Sequence, residues 1–253
     1  FDHKKIHPIT PNVRQVDWHE QFTAASGSAI YTARHYPEFY WNRVAFVTEP
    51  TGHLVHQCIL EEEGSSYVSR DGWNFMASVD EWSSPVVAEV GPDGNVWLSD
   101  WYNYIVQHNP TPSGFENGPG NAYVTPLRDK KHGRVYRVVY GEDEGSTSLD
   151  LGDTTENNLL AALKHPNMFW RTTAQRIIVE EQRIAMIPML QRLIADKALD
   201  TIGNAPGALH ALGALEGLEC FSKDDRAAQE LLRSAMTHPA PAVRRLAAQF
   251  AAS

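Results

Sequence analysis

Two hydrophobic periods divide the chain. Up to Tyr140 apolar and polar residues alternate, as in strands with one buried face. Short strands are predicted at Ala29–Thr32, Arg43–Thr48, His53–Leu60, Ser66–Ser69, Pro85–Val90, Asn95–Asp100, Tyr104–His108 and Gly133–Tyr140. Gly, Pro and Asn punctuate them every eight to twelve residues or so, the spacing of an all-β assembly. The sharpest unit is Ser84 to Trp101: a strand, the turn Pro92-Asp93-Gly94, and an aromatic strand ending on Asp100 between Trp97 and Trp101. Proline presets its own φ, Asp caps the turn, and Gly takes a positive φ without a steric penalty. Such hairpins are the repeating unit of many β-propeller blades, which carry strand-end polar groups around a channel.

Beyond Thr154 the inward-facing apolar positions recur every three or four residues, the period of amphipathic helices. Six helical faces are predicted, from Leu159/Leu160/Leu163 to Val243/Leu246/Ala247/Phe250. Leu160-x-x-Leu163-x-His165-Pro166 followed by Arg171 and Ala174 is echoed by Leu232-x-x-Ala235-x-x-His238-Pro239 followed by Arg244 and Ala247. The echo comes 73 residues later (His165 to His238), or about 36 residues per helix pair, close to helical-repeat lengths. The fold expected is therefore β then α: the C-terminal blades of a propeller, about two, over 1–140, an acidic linker over 141–153, and a HEAT-like α-solenoid over 154–253. The array reaches Ser253 without a polar capping repeat, so the parent protein is expected to continue.

Charge and cysteine content narrow the chemistry. A net charge of −9 argues against nonspecific nucleic-acid binding, which needs a basic surface. No stretch has the length of a transmembrane helix, and residues 1–21 lack a secretion-signal pattern. Cys58 and Cys220 form no CxxC or CxxCH motif and read as separate free thiols. The Pro- and Gly-rich stretch from Asn109 to Lys131 is long enough to serve as a lid or partner surface, or as a solvated excursion. The runs Glu61–Glu63 and Glu142–Glu144 read as solvated turns.

Candidate ligand-binding residues are Arg34, His35, Asp100, Asn103, His108, Arg128 and His132. Arg34 and His35 follow a strand and suit either a channel-mouth contact or a local pair and turn cap. Asp100 suits a sugar hydroxyl, Ca2+ or an arginine, and Asp100, Asn103 and Asp129 could supply oxygens to Ca2+. His53 and His56, three apart on an apparent strand, point to opposite faces, which leaves Glu49 with His53 as the easier metal pair. Asp93 is expected to cap its turn. Arg134 and Arg137 fall on opposite faces of one strand. His165 and His238 are expected to be structural, and Arg171 and Arg244 to bond neighbouring repeats.

Four motifs carry a resemblance. They are Ala25-Ser26-Gly27-Ser28-Ala29-Ile30-Tyr31 with Arg34-His35-Tyr36-Pro37; Phe46-Val47-Thr48-Glu49-Pro50-Thr51-Gly52-His53-Leu54-Val55-His56; Gly91-Pro92-Asp93-Gly94 with Asp100-Trp101-Tyr102-Asn103; and Arg128 to Val138. In this order they resemble membrane-bound dehydrogenases of planctomycetes and verrucomicrobia, related to soluble glucose/sorbosone dehydrogenases. The resemblance implies a quinoprotein-like propeller followed by HEAT-like repeats, and often a cytochrome c domain, which would carry haem c outside this chain. It implies a cell-envelope or secreted sugar or alcohol dehydrogenase, with pyrroloquinoline quinone and Ca2+ as cofactors and a cytochrome as electron acceptor. The relatives' catalytic histidine belongs to an early blade outside this sequence, so this chain alone is expected to be inactive. Their quinone-contacting arginine corresponds to Ser84 here. A non-catalytic docking module for a protein or polysaccharide, and a Ca2+-dependent lactonase-like hydrolase, are the alternatives.

Overall fold

The structure is a computed structural model that describes residues 5–11, 21–64, 66–106, 113–114, 116, 118, 124–142 and 149–252. The chain divides into two compact units, Phe1–Ser146 and Thr147–Ser253. The first holds two antiparallel sheets and the second six α-helices, so the order is β then α.

The first sheet has the order β1-β2-β3-β4, with β1 at Ser28–Ile30, β2 at Val44–Glu49, β3 at Leu54–Glu63 and β4 at Ser66–Ala77. The second has the order β5-β6-β7, with β5 at Pro85–Val90, β6 at Val96–Asp100 and β7 at Arg134–Val138. Of the strand expected at Tyr104–His108, residues 104–106 are irregular, and 107–108 lie outside the described residues. The backbone amide of Tyr102, with φ at +57°, already donates to Asp100, so the chain turns away from the sheet there. The fourth strand is longer than Ser66–Ser69. Its exposed positions mix polar Ser66, Arg70 and Asp71 with aromatic Tyr67 and Trp73, so alternation fades while the ladder to β3 continues to Ala77.

The sheets share one core. Tyr31, Val44, Phe46 and Val55 from the first sheet and its following loop meet Ala88, Val96 and Leu98 of the second. Two tyrosines pin the seam. The Tyr31 hydroxyl donates to Gly94 O at 2.8 Å and accepts from the amides of Tyr36 and His35. The Tyr36 hydroxyl donates to Val138 O and accepts from the Val96 amide. Burial raises both phenols well above the ordinary value, Tyr36 to about 12, so both stay protonated donors. Gly94 takes φ +78° in the 91–94 turn, as its place there requires.

In the helical unit α1 is Glu156–Ala162, α2 Met168–Glu180, α3 Ile187–Ala195, α4 Pro206–Gly217, α5 Arg226–Ala235 and α6 Pro241–Ala252. Thr155, Asn167 and Asp225 cap α1, α2 and α5 through their side chains, each bond contributing about 1 kcal/mol. Pro206 and Pro241 open α4 and α6, where a missing N–H costs nothing. Leu159, Leu163, Ile178, Leu190, Leu212, Leu215 and Leu232 form a continuous buried core.

The echoed sequence is echoed in bonding. His165 Nδ1 accepts the Asn167 amide at 3.0 Å, and His238 Nδ1 accepts the Ala240 amide at 3.0 Å. Arg171 Nη1 donates to His165 O at 2.7 Å, and Arg244 Nη1 donates to His238 O at 2.8 Å. In these bonds the arginines reach back to the turn of their own repeat rather than to a neighbouring one. A side chain six residues into the circuit meets the His carbonyl left without a partner by the helix end.

Candidate functional site

The ends of β5, β6 and β7 converge on Asp100, whose side chain is fully buried. Its Oδ1 accepts the amides of Ser84 at 2.6 Å and Tyr102 at 2.9 Å. Its Oδ2 accepts Arg134 Nε at 3.0 Å and the Ser83 hydroxyl at 3.3 Å. Arg134 is the cross-strand partner of Asp100, so ladder register alone brings the pair together. The other arm of the guanidinium bonds Asp80 Oδ2 at 2.6 Å. Two carboxylates therefore share one cation, and the cluster carries a net negative charge. Burial pulls Asp80 upward, but the Trp82 amide and the Arg134 guanidinium outweigh it and hold the carboxyl below the usual range.

Aromatic rings flank this cluster. The Arg134 guanidinium lies 4.4 Å from the Tyr102 ring centre, and Trp82 stacks on Tyr102 at 5.4 Å. Tyr104 lies 5.5 Å from Trp82, and His132 meets the edge of Tyr102 at 6.2 Å. His53, with φ +57°, sits in the turn before β3 and donates from Nδ1 to Ser83 O at 2.5 Å. It is thus outside the strand that carries His56, and it serves this cluster rather than Glu49.

Of the predicted site residues, Asp100, Asn103 and His132 gather here. The Asn103 carbonyl accepts the Ser84 hydroxyl at 2.7 Å, and its buried side-chain Oδ1 has no hydrogen-bond partner. Asp129 Oδ2 pairs with His132 Nδ1 at 2.7 Å and its Oδ1 accepts the amides of 131 and 132, a local turn instead of a shared oxygen set with Asp100. Arg128 donates to Ile105 O. Arg34 and His35 belong to the other end of the sheets: Arg34 bonds Ala33 O and Asn42 Oδ1 and lies over Trp41, while His35 packs against Gly94. His108 lies outside the described residues. Among the described residues no group of three or more His, Cys, Asp or Glu side chains is placed to hold a metal ion.

Three features were not foreseen. Asp80 becomes half of the acid pair, although nothing in its local sequence marks it. Buried Glu49 accepts the amides of Thr23, Ala24 and Ala25 on Oε2 and the Thr23 hydroxyl and Thr51 amide on Oε1. Glu49→Gln replaces one acceptor by a donor facing those donors, and chemical denaturation should show a loss of about 2 kcal/mol; an unchanged midpoint refutes that role. Asp71 joins two histidines, His7 Nε2 at 2.6 Å and buried His56 Nε2 at 3.5 Å, beneath an exposed Trp73 at φ +65° that stacks on His7.

Asp93 caps its turn: burial pulls it up, but Trp97, Asn95 and Arg137 bring its carboxyl to about 2. On β7, Arg137 reaches Asp93 at 2.5 Å while Arg134 reaches Asp100, so the two cations do occupy opposite faces.

No curated protein and no solved structure matches the chain. One family model does, over residues 1–142 of 253, and it takes in both sheets and every residue of the acid cluster. The chain thus belongs to the family described as Domain of unknown function (DUF7133).

Proposed function

We propose that the two sheets are adjacent blades of a β-propeller and the helices HEAT-like repeats of an α-solenoid, in a sugar or alcohol dehydrogenase of the quinoprotein type that works in the cell envelope or outside the cell. Face-to-face packing of two antiparallel meanders supports the blades, and the paired His/Arg bonding in α1–α2 and α5–α6 supports the repeats. The observation that carries the function is the Asp80–Arg134–Asp100 array beside Trp82 and Tyr102. Its cation is already offset by two carboxylates, so it does not attract an anion. Carboxylate oxygens beside aromatic rings suit a neutral, hydroxyl-rich molecule. In this reading Asp80, whose side chain is 40 % exposed, accepts a hydrogen bond from a hydroxyl, and Asp100 fixes Arg134.

Pyrroloquinoline quinone and Ca2+ enter through the resemblance, and the residues at the corresponding position do not suit them. Ser84 uses its amide on Asp100 and its hydroxyl on Asn103, and Arg134 is held by two carboxylates. The electron-transfer step and the cytochrome partner are therefore assigned to the protein without a step through these residues. The same commitment of Ser84 favours a second reading, a sheet-and-helix module that binds a carbohydrate or protein without turnover. A dye-linked assay on the protein with added quinone and Ca2+ separates the two. Reduction that depends on an aldose or primary alcohol supports the dehydrogenase. Sugar binding without reduction establishes the module instead, and ring opening of a lactone without an electron acceptor replaces both by a hydrolase.

A further inference from the structure

The helical unit holds one histidine, His210, at the contact between α2 and α4, and another, His165, in the turn that leads into α2. His210 of α4 is 8 % exposed, and its Nδ1 donates to Gln175 Oε1 of α2 at 2.8 Å. Gly213, one turn further along α4, lets that amide lie against the helix: a Cβ there would meet Gln175 Nε2 at 2.6 Å. Arg171 of α2, 4 % exposed, brings a buried positive charge to the same seam. Its Nη1 holds the carbonyl of His165, and the imidazole of His165 accepts the Asn167 amide through Nδ1. Asn167 in turn caps α2 by accepting the Phe169 amide. The two imidazoles thus hold α2 at its start and along its side, and Arg171 reaches both places.

We propose that the α2–α4 seam is an acid-operated latch, in which protonation of His210 and closure of the seam exclude one another. A charged His210 is buried beside the Arg171 cation with a single neutral acceptor. Burial first, and the nearby Arg171 charge second, bring His210 down from 6.5 to about 4 while the seam is closed. The sign follows from proton counting. The open seam binds more protons than the closed one between those two values, so closure is complete above about pH 6.5 and weakens as the pH falls toward 4. An open groove lined by Thr172, Gln175, Arg176, Val179, Gly213 and Gly217 runs along the seam, so acid would widen an accessible surface rather than expose a sealed core. The latch is independent of the proposed dehydrogenase chemistry.

Hydrogen exchange by mass spectrometry on the whole chain, corrected for the intrinsic pH dependence of exchange, tests it. Protection over 167–180 and 206–217 should fall by up to about tenfold per pH unit between pH 6.5 and 4 as His210 titrates. The β5–β6 ladder serves as the internal reference and should change less. In the His210→Gln variant the acid-dependent loss should disappear, because the replacement keeps polar atoms in place and cannot charge. Equal loss in wild type and variant, or undiminished wild-type protection at pH 4.5, overturns the latch. Should His210→Gln fail to fold, His210→Asn decides: it must lose less protection on acidification than wild type.

Discussion

Asp100→Ala should destabilise the sheet unit by about 3 kcal/mol. The substitution removes the acceptor for two backbone amides, at Ser84 and Tyr102, and one of the two counter-charges of Arg134. Removing one partner of a buried pair costs about 3–5 kcal/mol when the other is left uncompensated. Arg134 is 30 % exposed and keeps Asp80, which places the expectation at the lower end. Asp100→Asn retains an acceptor for the amides and loses only the charge, so about half that cost is expected. Six of the seven tryptophans precede residue 142, so fluorescence during urea unfolding reports this unit. A shift below about 1 kcal/mol for Asp100→Ala would show that the strand ends are held by something else.

Gly27→Ala should be nearly as costly, for a reason that involves no lost bond. A Cβ at Gly27 would lie 2.5 Å from Val86 O and 2.9 Å from Val87 Cα, with Thr48 Oγ1 at 3.2 Å. Two of those neighbours are backbone atoms of β5, so the clash is relieved only by moving one sheet away from the other. Separation would strain the tyrosine pins and open gaps around Tyr31 and Phe46, both fully buried. Overpacking of this sort costs about 1–3 kcal/mol or more, and the larger value is expected where backbone must move. Gly64→Ala provides the contrast. Its φ is +61° but no atom lies within 4 Å of the added Cβ, so only the local strain of about 1 kcal/mol is at stake. Equal midpoints for the two variants would falsify the close approach of β1 and β5.

Both effects concern contacts that cross sequence distances, and this is where reading the chain reaches its limit. The alternation of Val86, Ala88 and Val90 and the Pro92-Asp93-Gly94 turn predicted the β5–β6 hairpin within a residue of its ends. The Leu159–Leu163 and Val243–Ala247 spacings predicted α1 and α6. Such patterns are local: side-chain period follows directly from backbone geometry, two for a strand and 3.6 for a helix. The same rule failed at residues 104–106, which are irregular: the chain turns at Tyr102, whose amide Asp100 holds.

The sequence by itself therefore determined the elements, their order and the change from sheets to helices near residue 146, because each depends on neighbours a few positions apart. It also marked Asp100 as a strand-end carboxylate. Tertiary structure alone decided what that carboxylate does. Register set Arg134 opposite it, a separate turn brought Asp80 to the second guanidinium arm, and the lean of one sheet on the other converted Tyr31 and Tyr36 from core aromatics into pins. Charge compensation and hydrogen bonding depend on which atoms come within about 3 Å of each other. For groups dozens of residues apart, that distance is fixed only when the whole unit has folded.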